Sequence, residues 1–324
     1  MPHLSVQHLP TRGIAYLKSR EENIDWPSIA TIDLIDEHHE LLAWGVEDAF
    51  DNNQHQLVIQ FVRALGHALG IRGYNDLRVR LGRMAVHSAK AIGNSRDIAR
   101  ALITNEAWVY FFWSDYDKCL AALSEGLAAA RAANDPILIG MGLRLTAQVA
   151  KERNNLEESK ELLLEALNIF NNSDDDYQLA ITNGTWGSLH RDLRKYKEAE
   201  ASMREALRIA SGLKNAEELQ SVQCQKLTKI LIELKRLPEA EEFNLKAENI
   251  LVQLRRQVGV AYCKLNLARI AEQREDLSKA LVYAKEAETL FVQFGDRREI
   301  AADLQRIQEK AAKLKSSAAP SKQA

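Results

Sequence analysis

Histidine and carboxylate side chains that could bind a metal occur together near the start of the sequence. The segment Asp36-Glu37-His38-His39-Glu40 places two histidines between carboxylates, and zinc takes both ligand types. Two ligands on one helix must lie about one turn apart to share a metal, whereas adjacent His38 and His39 point about 100° apart. We therefore interpret this segment as a solvated helix face and predict no metal site.

The cysteines and one histidine are the candidates for covalent or acid–base chemistry. Cys119, Cys224 and Cys263 are odd in number, far apart and without a C-x-x-C pair, so we interpret them as small buried residues. The triplet His190-Arg191-Asp192 has the order of the catalytic triplet of protein kinases, but the glycine-rich loop, the strand lysine and the D-F-G motif are missing. The chain also lacks a Gly-Lys dipeptide and a G-x-G-x-x-G loop. We predict no catalytic residue, no cofactor and a non-enzymatic protein.

The elements that must position these residues follow one repeated pattern. The stretch from Lys195 to Ala210 shows it as an aromatic or leucine residue, a small residue three positions later, and a second small residue seven positions after that. The opening residues of five copies are spaced by 40, 40, 41 and 40 positions, and they are Tyr116, Leu156, Tyr196, Leu237 and Leu277. A period held over five copies is typical of a repeat architecture.

Each copy also has an amphipathic stretch before its opening residue. A compact residue stands nine positions before each opening residue, at Ala107, Ala147, Gly187, Thr228 and Ala268. Polar turns of about three residues separate the two stretches, which predicts two antiparallel helices, A and B, in every copy. Small residues let the two backbones approach closely, so we expect a large substituent at these positions to overpack the pair.

These residues resemble the tetratricopeptide repeat, whose helix B carries a tyrosine or leucine and two alanines at these offsets. The resemblance extends roughly from Ser95 to Leu290. The usual unit has about 34 residues, so the longer unit here is similar to repeat regions of bacterial signal-transducing NTPases and regulators. The resemblance implies an all-α fold, a right-handed superhelical solenoid of antiparallel helix pairs.

The repeat boundaries divide the sequence into five segments. We predict a flexible leader (1–24), N-terminal helices with a degenerate repeat (25–94), five repeat units (95–294), a C-terminal capping helix (295–315) and a disordered tail (316–324). The acidic stretch from Asn171 to Asp176 is a longer linker between the second and third units.

The composition narrows the choice of partners and of compartment. The chain has 324 residues, of which 46% are hydrophobic and 27% charged, and its 15 glycines and 6 prolines fit continuous helices. A formal net charge of −2 offers no attraction to nucleic acid or to an anionic membrane, so neither is an expected partner. No run of 18 apolar residues and no signal-peptide pattern occurs, which predicts a cytoplasmic protein.

The A helices of tetratricopeptide arrays line a concave groove, so the resemblance implies which positions face a partner. The candidates are Asn105, Trp108, Phe111, Arg144, Gln148, Lys151, Arg191, Lys229, Asn266 and Arg269. Five of them are cations, which suits an acidic or carboxylate-ended peptide bound by arginine forks and amides. The alternative is that these charges only keep an ordinary surface soluble.

A run of large apolar side chains from Trp108 to Trp113 needs a separate interpretation. Six such residues in succession cover every face of a helix, so some must point away from the core. They form either a bulky core between repeats or an apolar anchor for a partner, since aromatic residues are enriched at binding hot spots.

The sequence thus predicts a binding protein. We expect a scaffold or regulator that takes a partner protein or peptide in the groove, because a solenoid offers an extended surface formed before binding. The alternative is a receptor for a signal peptide, or a stand-alone sensor module of a signalling NTPase-type system. Nothing in the pattern selects an oligomeric state.

Overall fold

The described part of the chain is all-α. The computed structural model describes residues 29–293, 303 and 305–310, which contain no β-strand. Numbered in chain order, the helices are α1 (Ile29–Asp51), α2 (His55–Ile71), α3 (Asn75–Ala91), α4 (Ser95–Ala101), α5 (Trp108–Phe112), α6 (Tyr116–Ala132), α7 (Pro136–Glu152), α8 (Leu156–Asn171), α9 (Asp176–Asp192), α10 (Tyr196–Gly212), α11 (Glu217–Glu233), α12 (Leu237–Gln253), α13 (Gln257–Gln273) and α14 (Leu277–Gln293). A π-helical turn, Leu102–Ala107, joins α4 to α5. The predicted all-α class is confirmed.

The chain divides into two compact units, named here unit 1 (residues 1–175) and unit 2 (residues 176–324). Unit 1 contains α1 to α8, and unit 2 contains α9 to α14 with the helical residues 303 and 305–310. The division falls within the acidic linker that the sequence indicated. The predicted leader, the predicted tail and most of the predicted capping helix lie outside the described residues.

Antiparallel helix pairs are the building block of both units. The B helices α6, α8, α10, α12 and α14 begin at the five predicted opening residues, and each packs against the A helix before it. Three residues join the two helices of a pair. The middle one has a positive φ, which reverses the chain within a single turn, and these residues are Ser114, Asn154, Arg194, Lys235 and Glu275. The predicted pairing of antiparallel helices is confirmed.

Small side chains lie where the helices of a pair touch. The compact A-helix residues and the two small B-helix residues of every copy are buried. At Gly187 of α9 the glycine also faces the backbone of its partner helix, because a Cβ atom there would lie 2.9 Å from Met203 Cε and 3.1 Å from the Ala199 carbonyl oxygen of α10. The backbones are therefore close enough that the pair has no room for a larger side chain.

The first A helix departs from the regular pattern. Its middle winds as the π-helical turn, and Arg78 of α3 donates to the Thr104 carbonyl oxygen there at 2.5 Å. Arg78 Nε also donates to Asn105 Oδ1 at 3.3 Å, and burial lowers the pKa of this arginine to about 10. A wider turn frees backbone groups from the helical ladder, so the buried guanidinium stabilises the turn by satisfying one of its carbonyls.

An aspartate fixes the start of α7 and ties it to α4. Asp135 Oδ1 accepts from the Leu138 backbone N–H at 3.0 Å, and Pro136 is the first residue of the helix. Arg96 of α4 donates to the other carboxylate oxygen at 2.6 Å. Burial alone would raise the pKa of Asp135, but the backbone and Arg96 hydrogen bonds outweigh it and lower the pKa.

The close contact at Gly187 predicts a strong and position-specific effect of a larger residue. Gly187→Leu should lower the free energy of unfolding by about 1–3 kcal/mol, because the added side chain must displace Met203 and the α10 backbone. Gly212→Leu is the matched control, since Gly212 ends α10 with no atom within 4 Å of an added Cβ. Urea denaturation of both variants measures the difference, and equal losses would contradict the proposed packing.

Candidate functional site

Seven of the ten predicted groove residues are half-buried and one is exposed. The half-buried residues are Phe111, Arg144, Gln148, Lys151, Arg191, Lys229 and Arg269, and the exposed residue is Trp108. Half-buried side chains on A helices combine a fixed position with access to solvent, which a binding face requires.

The two asparagines among the candidates are buried and hold helices together. Asn105 accepts from Arg78, and a Cβ atom at Gly66 of α2 would lie 2.2 Å from its Oδ1. Asn266 is fully buried and donates to Asn244 Oδ1 at 3.2 Å, which joins α13 to α12. Their amides are used inside the protein, so these two residues contribute to packing and not to an accessible groove surface.

Three predicted cations of unit 2 meet in one cavity of about 1110 Å³. Arg191, Lys229 and Arg269 reach it from three successive A helices, α9, α11 and α13. The lining contains six cationic and four anionic side chains, the latter Glu233, Glu272, Glu275 and Asp303. The predicted basic face is therefore of mixed charge here. Glu272 stands at the same repeat offset as Lys151 and Arg191, and the other three carboxylates come from positions that no candidate offset covered.

A chain of ion pairs closes one side of this cavity. Asp303, which is buried, accepts from Arg269 and from Arg306, both at 2.5 Å. Glu272 of α13 accepts from Arg306 at 2.8 Å and from Lys310 at 2.6 Å. The helical residues 303 and 305–310 are thus held to α13 by charge, and the fully buried Ile307 adds apolar packing in one cluster with Ala268 and Ala271.

The carboxylate at the centre of these ion pairs has a shifted pKa. Burial would raise the pKa of Glu272, but hydrogen bonds from Arg306 and Lys310 outweigh it and hold the pKa below the usual value. Glu272 therefore stabilises the folded state above the ordinary glutamate pKa, and this contribution is lost as the pH falls through its lowered value.

The other four predicted cations also contact a nearby carboxylate or aromatic ring. Lys151 lies 2.6 Å from Glu152, and Arg191 donates to Asp192 at 2.8 Å. The Arg144 guanidinium lies 5.9 Å from the centre of the Phe170 ring, and Lys229 Nζ lies 5.5 Å from that of Tyr262. Such contacts hold cationic side chains in place, and a partner must share or replace them.

Exposed aromatic rings form a second candidate surface, in unit 1. Val109 and Tyr110 of the aromatic run are buried in the core, whereas Trp108, Phe112 and Trp113 remain 42%, 44% and 36% exposed. The Trp108 and Phe112 rings stack at 6.0 Å, and Arg78 lies 4.9 Å below Trp108. The core interpretation therefore holds for Val109 and Tyr110, and the anchor interpretation stays a prediction for the exposed rings. Phe112 was not among the candidates, although its position one turn after Trp108 is a signal for it.

The residues considered for chemistry are placed as ordinary structural side chains. Cys119, Cys224 and Cys263 are buried and unbonded to one another, and burial raises the pKa of their thiols to about 12, 11 and 12. His190 packs edge-on against Trp186 at 4.8 Å. Over the described residues, no group of three or more His, Cys, Asp or Glu side chains is arranged to hold a metal ion.

None of the described helices is both long enough and apolar enough to cross a lipid bilayer.

Comparison with known proteins identifies the architecture. The chain matches no protein-family model and no curated protein. NprR in complex with its cognate peptide NprX is similar in structure, with a TM-score of 0.61 and 15% identity over 97% of this chain and 89% of that one. A Rap protein complexed with competence and sporulation factor gives a TM-score of 0.60 and 15% identity over 95% and 98%. Both are of the tetratricopeptide type. This chain has the tetratricopeptide-repeat fold.

A third similar structure comes from a larger protein. It is a signal-transduction ATPase with a tetratricopeptide-repeat sensor from Pyrococcus horikoshii, which matches 97% of this chain at a TM-score of 0.49 and 15% identity. This chain spans 54% of its length. The NprR and Rap structures, at 15% identity, establish the fold alone, so the ligand has to be inferred from the residues of this chain.

The ion pairs of Glu272 predict how firmly the C-terminal helical residues are held. Glu272→Gln removes the charge that Arg306 and Lys310 share, so residues 305–310 should exchange amide hydrogens about tenfold faster. Glu275→Gln is the control, because Glu275 lines the same cavity from the neighbouring turn. Hydrogen–deuterium exchange with mass spectrometry distinguishes them, and unchanged exchange in Glu272→Gln would show that apolar packing holds these residues.

Proposed function

We propose that this chain is a non-enzymatic interaction protein that binds a peptide, or an extended segment of a partner protein, on its A-helix face. The unit 2 cavity is the main site. The observation that carries the proposal is the meeting of Arg191, Lys229 and Arg269, from three successive A helices, in one cavity. Because the three helices are already packed in place, these side chains can bind a partner without the entropic cost of ordering the receptor.

The charges of the cavity define the partner more closely. Six cations face four carboxylates, and Asp303 already shows how a carboxylate is held there, between Arg269 and Arg306. A peptide with at least one acidic side chain or a free C-terminal carboxylate would make the same kind of charge-assisted hydrogen bonds to Arg191 and Lys229. A strongly acidic peptide would meet repulsion from Glu233 and Glu275, so a peptide of mixed charge fits best.

Two similar structures support a peptide as the partner. NprR is seen with its cognate peptide, and the Rap protein is seen with competence and sporulation factor. These complexes favour the second candidate function, a receptor for a signal peptide. In that case the ligand would prefer one arrangement of the helices and shift the population toward it. A change in the radius of gyration on ligand binding, measured by small-angle X-ray scattering, would separate a receptor of this kind from a rigid scaffold.

Selection from a library of random peptides tests the proposal directly. Peptides that bind the full chain are synthesised, and their affinities are measured by fluorescence anisotropy. Arg191→Ala/Lys229→Ala should weaken binding by about tenfold or more, because each lost charge-assisted hydrogen bond is worth roughly 1.5–3 kcal/mol. Arg208→Ala/Lys279→Ala is the matched control. Both residues are 71% exposed cations of B helices, each paired with an acidic neighbour, and their loss should change affinity less than twofold.

Two outcomes would contradict the cavity as the main site. If the control variant weakens binding as much as the cavity variant, general charge attraction and not the cavity binds the peptide. If only Trp108→Ala/Phe112→Ala removes binding, the exposed aromatic rings of unit 1 are the site. Circular dichroism of each variant confirms that the helices are intact.

A further inference from the structure

A separate cavity of about 590 Å³ lies in unit 1, between α1 and the start of α3. Its lining includes three aromatic rings, His39, Trp44 and Tyr74, and three carboxylates. None of these residues belongs to the predicted groove or to the proposed peptide site. Its size suits a small organic molecule more than a polypeptide segment.

The aromatic rings form one wall of the cavity. His39 stacks on Tyr74 with ring centres 4.1 Å apart and planes inclined by 18°. Among the described residues, the buried Nδ1 of His39 has no hydrogen-bond partner, so stacking and not hydrogen bonding accounts for the placement of this ring. Trp44 stays 40% exposed beside this pair, so part of its ring is accessible to a ligand.

The charged residues give the cavity a negative balance. Arg80 lies 3.1 Å from Glu47, and this pair largely neutralises itself. Glu40 and Asp76 are exposed, and neither forms an ion pair or a side-chain hydrogen bond with any residue in the described ranges. Asp76 lies in the first turn of α3. Two carboxylates therefore remain available to a ligand beside the aromatic wall.

We propose that this cavity binds a small organic cation with an alkylated ammonium group. Ring faces carry negative electrostatic potential and attract such cations, and Trp is the strongest of the aromatic side chains in this respect. Glu40 and Asp76 supply the opposite charge without demanding hydrogen bonds, which a quaternary ammonium cannot donate. A metal ion is disfavoured because no group of three or more His, Cys, Asp or Glu side chains among the described residues is arranged to hold one, and the carboxylates disfavour an anion.

Choline and its neutral isostere 3,3-dimethylbutan-1-ol test the role of charge at constant shape. Titration of the full chain, followed by ligand-observed NMR and calorimetry, should show saturable choline binding with a dissociation constant on the order of 1 mM. The neutral analogue should bind about tenfold more weakly or not at all. Equal affinity for the two, or no choline binding up to about 20 mM, would overturn the proposal.

Variants then assign the binding to this cavity. Trp44→Leu should reduce choline affinity about tenfold and Trp44→Phe should retain most of it, because a ring face remains. Trp108→Leu is the matched control, since Trp108 is a tryptophan of unit 1 with similar exposure, and its loss should leave affinity unchanged. If Trp44→Leu does not fold, Asp76→Asn provides the test, and we expect it to reduce choline affinity about threefold to fivefold. Unchanged affinity in both variants, or an equal loss in Trp108→Leu, would refute this site.

A second probe separates a free metabolite from a protein side chain as the source of the cation. Nα-acetyl-lysine amide carries a primary ammonium, which can donate hydrogen bonds to Glu40 and Asp76. Weaker binding than choline assigns the cavity to alkylated amines. Tighter binding, lost in Asp76→Asn, would overturn the alkylated-amine assignment in favour of a lysine side chain.

Discussion

The close approach of two helix backbones is the constraint on which the remaining structure depends. Each A helix can lie against its B helix only where both present small residues, as Gly187 does against Ala199. That contact fixes the angle and the depth of every pair. Other positions of the A helices then carry half-buried cations such as Lys229 and Arg269.

The parts of the fold that could be predicted from the sequence are those that depend on local, repeated contacts. The B helices begin at Tyr116, Tyr196 and the other predicted residues because the small residues recur with the period of one helix pair. The π-helical turn at Leu102–Ala107 could not be predicted in the same way. It depends on Arg78, which belongs to another helix and lies 26 positions before Thr104.

For the charged residues of the candidate site, the sequence likewise predicted only what depends on spacing within a helix. Offsets within a helix placed Arg191, Lys229 and Arg269 on one face, and the structure brings them together. Asp303 was missed because its pairing with Arg269 spans separate helices, 34 positions apart. Glu272 stood at the offset of Lys151 and Arg191 but was left out of a face that was interpreted as basic. Burial was also missed for Asn266, since an amide has the same appearance in a sequence whether it meets a ligand or another amide.

The π-helical turn accommodates one residue more than the other A helices of the five pairs contain. The first A helix runs from Ser95 to Phe112, one residue longer than α7 (Pro136–Glu152), and still delivers the chain to Tyr116 in register with later copies. Between α10 and α11 the chain also lengthens, but there the connection at 213–216 takes up the extra residue. An array that absorbs length changes in both ways can gain or lose single residues without re-registering its neighbours.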